Sequence, residues 1–270
     1  MTTTPVALVT GATSGIGRAT ALALAAAGFA VIGTGRNTTQ TDPLDSVTLV
    51  DLDVASDESV ADVIQYVIER FGRIDVLVNN AGVGAAGAAE ESSIAQAQGI
   101  FDVNVFGVMR MTRAVVPHMR AQGRGRIINL SSVLGFLPAP YAAVYAASKH
   151  AVEGYSESTD HEVRKHGVRV LLVEPAYTRT GFDTNLVQPD SPLPVYAEQR
   201  RIVAEVNTSA IESGDDPAVV AKVIVAAATD AKPKLRYTAG PLAGRGRMLR
   251  RLAPAGAFDR QIRKMNRLAG

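Results

Sequence analysis

The chain of 270 residues contains no cysteine and no tryptophan. Without cysteine there is no disulfide framework and no thiolate metal site, and the composition suits a reducing compartment. Histidine is scarce as well. The four at 118, 150, 161 and 166 show no zinc-ligand spacing, so no metal is expected. Aromatic residues are only 5% of the chain, yet the hydrophobic share of 47% is ample for a core. No apolar run approaches the roughly 20 residues of a membrane span. The start, MTTTPVALVTG, has neither the basic region nor the apolar core of a signal peptide. A soluble, cytoplasmic protein is the expectation.

Net charge is also small, at +2, but it is unevenly spread. From Lys232 to Gly270 there are eleven Lys or Arg and one acid, Asp259, which leaves seventeen basic and twenty-five acidic groups elsewhere. Such a tail suits nucleic acid, anionic lipid or an acidic partner, or is simply a solvated helix.

What the chain has is an alternation of short apolar runs, glycines and helical segments. Pro5–Thr10 reads as a buried parallel strand that stops at glycine. GATSGIG follows, with Gly11, Gly15 and Gly17 around Thr13, Ser14 and Ile16, and then an Ala/Leu helix ending at Gly28. Missing β-carbons let a pyrophosphate approach a helix N-terminus, where free N–H groups and the dipole favour anions. The spacing G-x3-G-x-G departs from the familiar G-x-G-x-x-G, and a structural turn competes. Phe29–Thr34 is a second strand. Where an NAD-binding fold places an acid for the ribose 2′-hydroxyl, this chain has Gly35, Arg36 and Asn37. Arg36 is a planar, permanently charged partner for a 2′-phosphate. NADP is therefore expected over NAD, with Thr13, Ser14 and Asn37 as helpers; a solvated loop arginine is the plainer alternative.

Ser46–Leu52 supplies a third strand. Asp53 after it either accepts from an adenine amino group or caps the next helix, although Ser56 is the better N-cap, with Asp57 and Glu58 in the first turn. That helix runs to Phe71 and stops at Gly72. A fourth strand, Arg73–Val78, carries Asn79, Asn80, Ala81 and Gly82 at its carboxyl end, where ligands bind in such sheets. Ser92–Arg120 reads as one long helix with Asn104 inside an apolar stretch. Gly125–Leu130 is a fifth strand that delivers Ser131 and Ser132, and Val168–Val173 a sixth. A helix from Asp216-Pro217 to Ala228 precedes a seventh strand at Leu235–Thr238. The expected fold is a Rossmann-type α/β doubly wound parallel sheet of about seven strands, one domain over residues 1–240. Residues 241–270 form a basic amphipathic helical extension broken around Pro254.

Tyr145 and Lys149 stand four apart, one turn along a single helical face. A phenol with a pKa of about 10 is a poor acid or base at neutral pH, and a nearby ammonium favours the phenolate. An ordinary tyrosine beside a solvated lysine is the alternative.

Taken in order, TGATSGIG at 10–17, NNAG at 79–82, Asn104, Ser132, Tyr145-x3-Lys149 and the Pro175 segment resemble the short-chain dehydrogenases/reductases over roughly residues 5–180. The thirteen residues from Ser132 to Tyr145 match the separation usual in that family, which selects Ser132 over Ser131. The resemblance implies hydride transfer between NADP(H) and a carbonyl or alcohol substrate. Tyr145 would act as acid/base, Ser132 would steady the substrate oxygen, and Lys149 would hold ribose hydroxyls and lower the tyrosine pKa. Asn104 would hold a water leading to Lys149. It further implies cofactor contacts from Gly11 to Gly17, at Asp53 and Val54, at Asn80 to Gly82, and at Pro175 and Thr178. Ala176 stands where the family commonly has glycine, which bears on local backbone geometry.

By the same resemblance, about 180–215 is a substrate lid. Its apolar residues, Phe182, Leu186, Val187, Leu193, Val195 and Tyr196, suggest a lipophilic steroid, retinoid or acyl-type substrate. The tail is similar to those of hydroxysteroid- and retinol-type members. The little-polar helix holding Asn104 and the small-residue helix after Tyr145 suggest a homodimer or homotetramer. A 3-ketoacyl-carrier reductase and a non-catalytic NADP-sensing regulator are the alternatives. Nucleic acid is not expected, since no binding module is recognised; weak membrane-surface contact of the tail is open.

Overall fold

Alternation along the first strand sets the whole arrangement. In β1 (Val6–Val9) all four residues are buried, and successive side chains leave on opposite faces. Val6 and Leu8 join one core cluster, Ala7 and Val9 the other. A strand covered on both sides is what a parallel sheet between two helical layers requires. The computed structural model describes residues 4–182 and 185–268.

The sheet continues through β2 (Ala30–Gly35), β3 (Val47–Asp51), β4 (Val76–Asn79), β5 (Gly125–Leu130), β6 (Val168–Pro175) and β7 (Arg236–Ala239). Its order is β3-β2-β1-β4-β5-β6-β7, and every pairing is parallel. The order reverses between β1 and β4, so a crevice opens at their carboxyl ends.

Helices α1 (Gly15–Ala26) and α7 (Pro217–Thr229) cover one face with Ala21, Leu24, Val220 and Ile224. On the other face lie α2 (Asp57–Phe71), α4 (Gly107–Gln122) and α5 (Ala143–Val163), which bring Val60, Ile64, Met111, Val115, Met119 and Val163. The ends of α2 are those its sequence calls for. Ser56 Oγ accepts from the Ser59 N–H at 3.2 Å, and Gly72 closes the helix in the left-handed region at φ 74°.

The stretch expected to be one long helix is not uniform. It divides into α3 (Ile94–Phe101), a π-turn over Asp102–Phe106, and α4. Wide turns of this kind insert one residue into an α-helix and recur at functional sites; Asn104 sits inside this one.

Buried polar side chains link the central strands. Asn79 Nδ2 donates to Asn129 Oδ1 at 2.8 Å across β4 and β5, and Asn129 Nδ2 donates to Ser156 Oγ of α5 at 2.8 Å. Beyond β6, α6 (Ala197–Glu212) leads to α7. After β7 come α8 (Pro241–Leu252) and α9 (Ala255–Met265), which meet around Pro254. Phe258 of α9 is buried under the Arg250 guanidinium, 4.8 Å from the ring centre. Among the described residues no helix is long and apolar enough to cross a membrane.

Candidate active site

The crevice begins with the turn between β1 and α1. Gly11 and Gly15 adopt positive φ, 65° and 51°. A β-carbon on Gly17 would lie 2.0 Å from the Gly11 carbonyl oxygen and 2.4 Å from Asn80 Nδ2. Only glycine allows the helix to start this close to the turn. Asn80 straps the two strand ends together: its Nδ2 donates to the carbonyls of Thr10 and Gly11 at 2.9 and 3.0 Å. Thr10 Oγ1 accepts the N–H groups of Asn80 and Ala81, both at 3.0 Å. At the head of α1, Ser14 makes no capping hydrogen bond and the first turn holds no acid. An anion is therefore welcome at that helix end, and a cradle that a β-carbon would fill suits a pyrophosphate.

At the tip of β2, Arg36 is exposed and forms no ion pair among the described residues. Asn37 Oδ1 accepts from Thr39 Oγ1 at 2.7 Å. The sequence reading found no acid here, but the sheet register sets Asp51 of β3 opposite Gly35. Its carboxylate accepts from the N–H and the hydroxyl of Thr38, both at 2.7 Å, and these bonds hold its pKa below the usual value. Asp53 is exposed, and its Oδ1 accepts from the Ala55 N–H at 2.9 Å, a local turn contact; Val54 beside it is buried.

The centre of the crevice holds Ser132, Tyr145 and Lys149. Ser132 follows β5 and its Oγ accepts from the Leu134 N–H at 3.1 Å, which orients the hydroxyl. Its hydroxyl faces that of Tyr145 closely enough to act to lower the tyrosine pKa. Loss of solvation outweighs it and pushes Tyr145 up to about 12. Burial brings Lys149 down to about 8. The lysine Nζ donates to the Leu130 carbonyl at 2.8 Å and lies 5.7 Å from the centre of the tyrosine ring. Proximity alone suggests a lowered phenol pKa; the protein's own groups give the opposite sign, because both polar ends are desolvated.

Asn104 reaches this centre only indirectly. Its Oδ1 accepts from the Val83 N–H and its Nδ2 donates to the Val83 carbonyl, both at 2.8 Å, and Nδ2 also donates to Ser148 Oγ at 3.1 Å. The side chain thus clamps the segment after Gly82 to α5. Gly82 lies close against that clamp: a β-carbon there would stand 3.2 Å from Asn104 Oδ1.

Pro175 ends β6, and Thr178 Oγ1 donates to the Ala176 carbonyl at 3.2 Å. Thr180 lies over the glycine turn, 3.2 Å from where a Gly15 β-carbon would be. Phe182 tilts against the Tyr145 ring at 5.8 Å between centres, and Val187 bridges to Ala85. Phe182, in the stretch expected to be a lid, therefore lies against the tyrosine; residues 183 and 184 of that stretch fall outside the described residues. Tyr141 takes φ 62°, with its carbonyl accepting from the Gly87 N–H at 2.8 Å and its ring edge-on to Tyr196 at 6.1 Å.

A charged cluster that sequence reasoning missed lies behind the serine. Arg236 of β7 pairs with Glu153, with Glu157 at 2.7 Å and with the fully buried Glu174 at 2.6 Å; Arg247 of α8 reaches Glu174 at 3.2 Å. Nothing in the local spacing announces it, since its members come from four elements. Among the described residues no cluster of three or more His, Asp or Glu could hold a metal.

Comparison with known proteins fits this geometry. The family model for short chain dehydrogenase matches residues 5–191. A 3-ketodihydrosphingosine reductase of Bacteroides thetaiotaomicron is 42% identical over 178 residues, 66% of this chain and 65% of that protein, so the match spans just under two thirds of that relative. Retinol dehydrogenase 8 of Bos taurus is 35% identical over 249 residues, 85% of this chain and 79% of that one. Among solved structures, a short chain dehydrogenase/reductase from Burkholderia phymatum in complex with NAD superposes with a TM-score of 0.78 at 29% identity, covering 90% of this chain and 92% of that one. With the ordered glycine turn, serine, tyrosine and lysine converging at the switch point of a seven-stranded parallel sheet, the chain belongs to the short chain dehydrogenase family of oxidoreductases.

Proposed function

We propose that this protein is an NADP(H)-dependent oxidoreductase acting on a lipophilic carbonyl or secondary alcohol, with Tyr145 as its acid/base. The observation that carries the reading is the convergence of Ser132, Tyr145 and Lys149 at the crevice, with Lys149 Nζ 5.7 Å from the centre of the tyrosine ring. The glycine turn from Gly11 through Thr13, Ser14, Gly15 and Ile16 to Gly17 would take the pyrophosphate, and Arg36 with Asn37 the 2′-phosphate. Asp53 and Val54 would flank the adenine, Asn80 to Gly82 and Lys149 the riboses, and Pro175 with Thr178 the carboxamide. Bound there, the cofactor supplies or accepts the hydride.

In reduction, Tyr145 gives its proton to the substrate oxygen while the Ser132 hydroxyl donates to that same oxygen. In oxidation, Tyr145 must first be a phenolate. A phenol whose pKa is about 12 with Lys149 already in place resists this, so positive charge beyond the protein's own is needed, and an oxidised nicotinamide bound beside Tyr145 would supply it. General acid–base catalysis of this type contributes about 10²–10⁴-fold.

The apolar residues of the expected lid, and the 3-ketodihydrosphingosine and retinol that the Bacteroides and Bos relatives are named for, support a lipophilic substrate. An exposed Phe106 beside α4, and the groove between α4 and α5 lined by Val116, Pro117 and Tyr155, support self-association through these helices. NAD is the second reading, favoured by Asp51 opposite Gly35 and by the NAD complex of the Burkholderia relative.

A steady-state assay of NADPH and NADH consumption against steroid, retinoid and long-chain ketones tests the proposal. The expected result is turnover with kcat/KM at least about tenfold higher for NADPH, and loss of that margin in Arg36→Ser, because one charge-assisted phosphate contact disappears. Equal use of both cofactors by the parent protein would favour the NAD reading. No turnover with any carbonyl or alcohol would defeat both.

A further inference from the structure

Helix α8 carries its side chains the wrong way round for a helix at a protein surface. At about 100° per residue, Leu242, Arg245, Met248, Leu249 and Leu252 share one arc of about 120°. That arc faces solvent: Leu242 is 52% exposed, Met248 65% and Leu252 71%. The opposite side, which meets the protein, carries no large apolar residue: Ala243 is fully buried, Arg247 turns to Glu174 and Arg250 to the Phe258 ring, and at its edge a β-carbon on Gly246 would stand 3.4 Å from Leu137 Cδ1. Amphipathic surface helices normally point their large apolar residues inward.

Charge narrows what can cover this face. Helix α8 holds Arg245, Arg247, Arg250 and Arg251 and no acid. Arg247 is committed to Glu174. Arg245 lies in the middle of the apolar arc and Arg251 at its flank, and both are exposed. Across the bend, α9 adds Arg260, Arg263 and Lys264, with Met265 49% exposed. An isologous contact with a second copy would set these arginines against each other with no acid on α8 and one, Asp259, on α9 to neutralise them. Arginines interleaved with leucine and methionine on one narrow face match a boundary where phosphates overlie an apolar layer. There the guanidinium rises to the phosphates while its neighbours sink. The twelve residues of α8 are too short to span, so the helix would lie in the plane.

We propose that α8, assisted by the basic side of α9, docks this protein on an anionic lipid bilayer. Leu242, Met248, Leu249 and Leu252 enter the acyl boundary, and Arg245 and Arg251 engage lipid phosphates. The inner side of α8 packs on Leu137, in the loop that leaves Ser132, so the docked surface adjoins the catalytic crevice. The inference does not depend on the cofactor or substrate assigned above.

The test is co-sedimentation of the full chain with phosphatidylcholine vesicles that contain or lack phosphatidylglycerol, at low and high salt. The expected result is binding to the phosphatidylglycerol vesicles alone, weakened by salt as charges are screened. The double variant Met248→Ser/Leu252→Ser should lower the partition coefficient about tenfold or more, because its apolar area no longer leaves water. Arg245→Glu/Arg251→Glu should abolish binding. Both variants alter exposed residues outside the crevice, so melting temperature and turnover of a water-soluble carbonyl should match the parent. Failure to bind anionic vesicles, equal binding to neutral ones, or undiminished binding by the serine variant overturns the proposal. So does a larger oligomer in the parent than in the serine variant without lipid, since a second copy would then cover the face.

Discussion

Replacing Lys149 by methionine should abolish turnover and at the same time remove a pH dependence from folding stability. Lys149 is buried, 7% exposed, and among the described residues its ammonium donates to one acceptor, the Leu130 carbonyl. Desolvation lowers its pKa from 10.5 to about 8. The folded state then binds fewer protons than the unfolded state between these values, so stability rises as pH climbs through this window. Below about pH 8 the buried charge costs the fold roughly 3 kcal/mol, at about 1.4 kcal/mol per pKa unit. By the same linkage, about 1 kcal/mol of that cost is relieved between pH 7 and pH 9. Tyr145, held at about 12, stays neutral over this range and adds no slope. Methionine keeps the length of the chain and brings no charge, so Lys149→Met should be the more stable protein at pH 7. Urea unfolding at pH 7 and pH 9, on parent and variant without added cofactor, isolates the term by difference. The parent should gain about 1 kcal/mol more than the variant over the interval. Identical pH slopes, or a variant less stable than the parent at pH 7, would refute the reasoning.

Two further outcomes follow from the geometry. Arg236→Gln leaves Glu174 buried with only Arg247 and strips Glu153 of its cation. Losing one partner of a buried pair costs about 3–5 kcal/mol, and the remaining arginine favours the low end, so calorimetry should show a melting temperature lower by on the order of 10 °C. Gly17→Ala would drive a methyl group to within 2.0 Å of the Gly11 carbonyl. The turn must move, and the Kd for NADPH by fluorescence titration should rise at least about tenfold, since the pyrophosphate cradle is lost.

Features with local causes were legible in the sequence. The run from β1 through the glycines to α1 states its structure in adjacent residues, as do Ser56 and Gly72 at the ends of α2. Seven strands and their parallel order follow from the β-α alternation. The two tail helices and their break at Pro254 follow from proline and periodicity.

What stayed hidden depends on tertiary contact. The π-turn at Asp102–Phe106 is built of weak helix formers, which do not by themselves specify a wide turn, and its bulge is held from outside through Asn104 and Val83. The Asn79–Asn129–Ser156 chain needs the β4–β5 register and the placement of α5. Asp51 comes opposite Gly35 only when β3 pairs with β2. The sign of the Tyr145 pKa shift could not be read from spacing, because a lysine four residues away acts through distance while desolvation acts through everything packed around the hydroxyl.

Single-turnover kinetics of Tyr145→Phe, with NADPH and the best ketone from the panel, test the central claim most directly. The variant loses one oxygen and keeps the ring beside Phe182. The account predicts a hydride-transfer rate at least about a hundredfold lower, with the NADPH Kd within about threefold of the parent, a difference under 1 kcal/mol. A variant that reduces the ketone at the parental rate would contradict it.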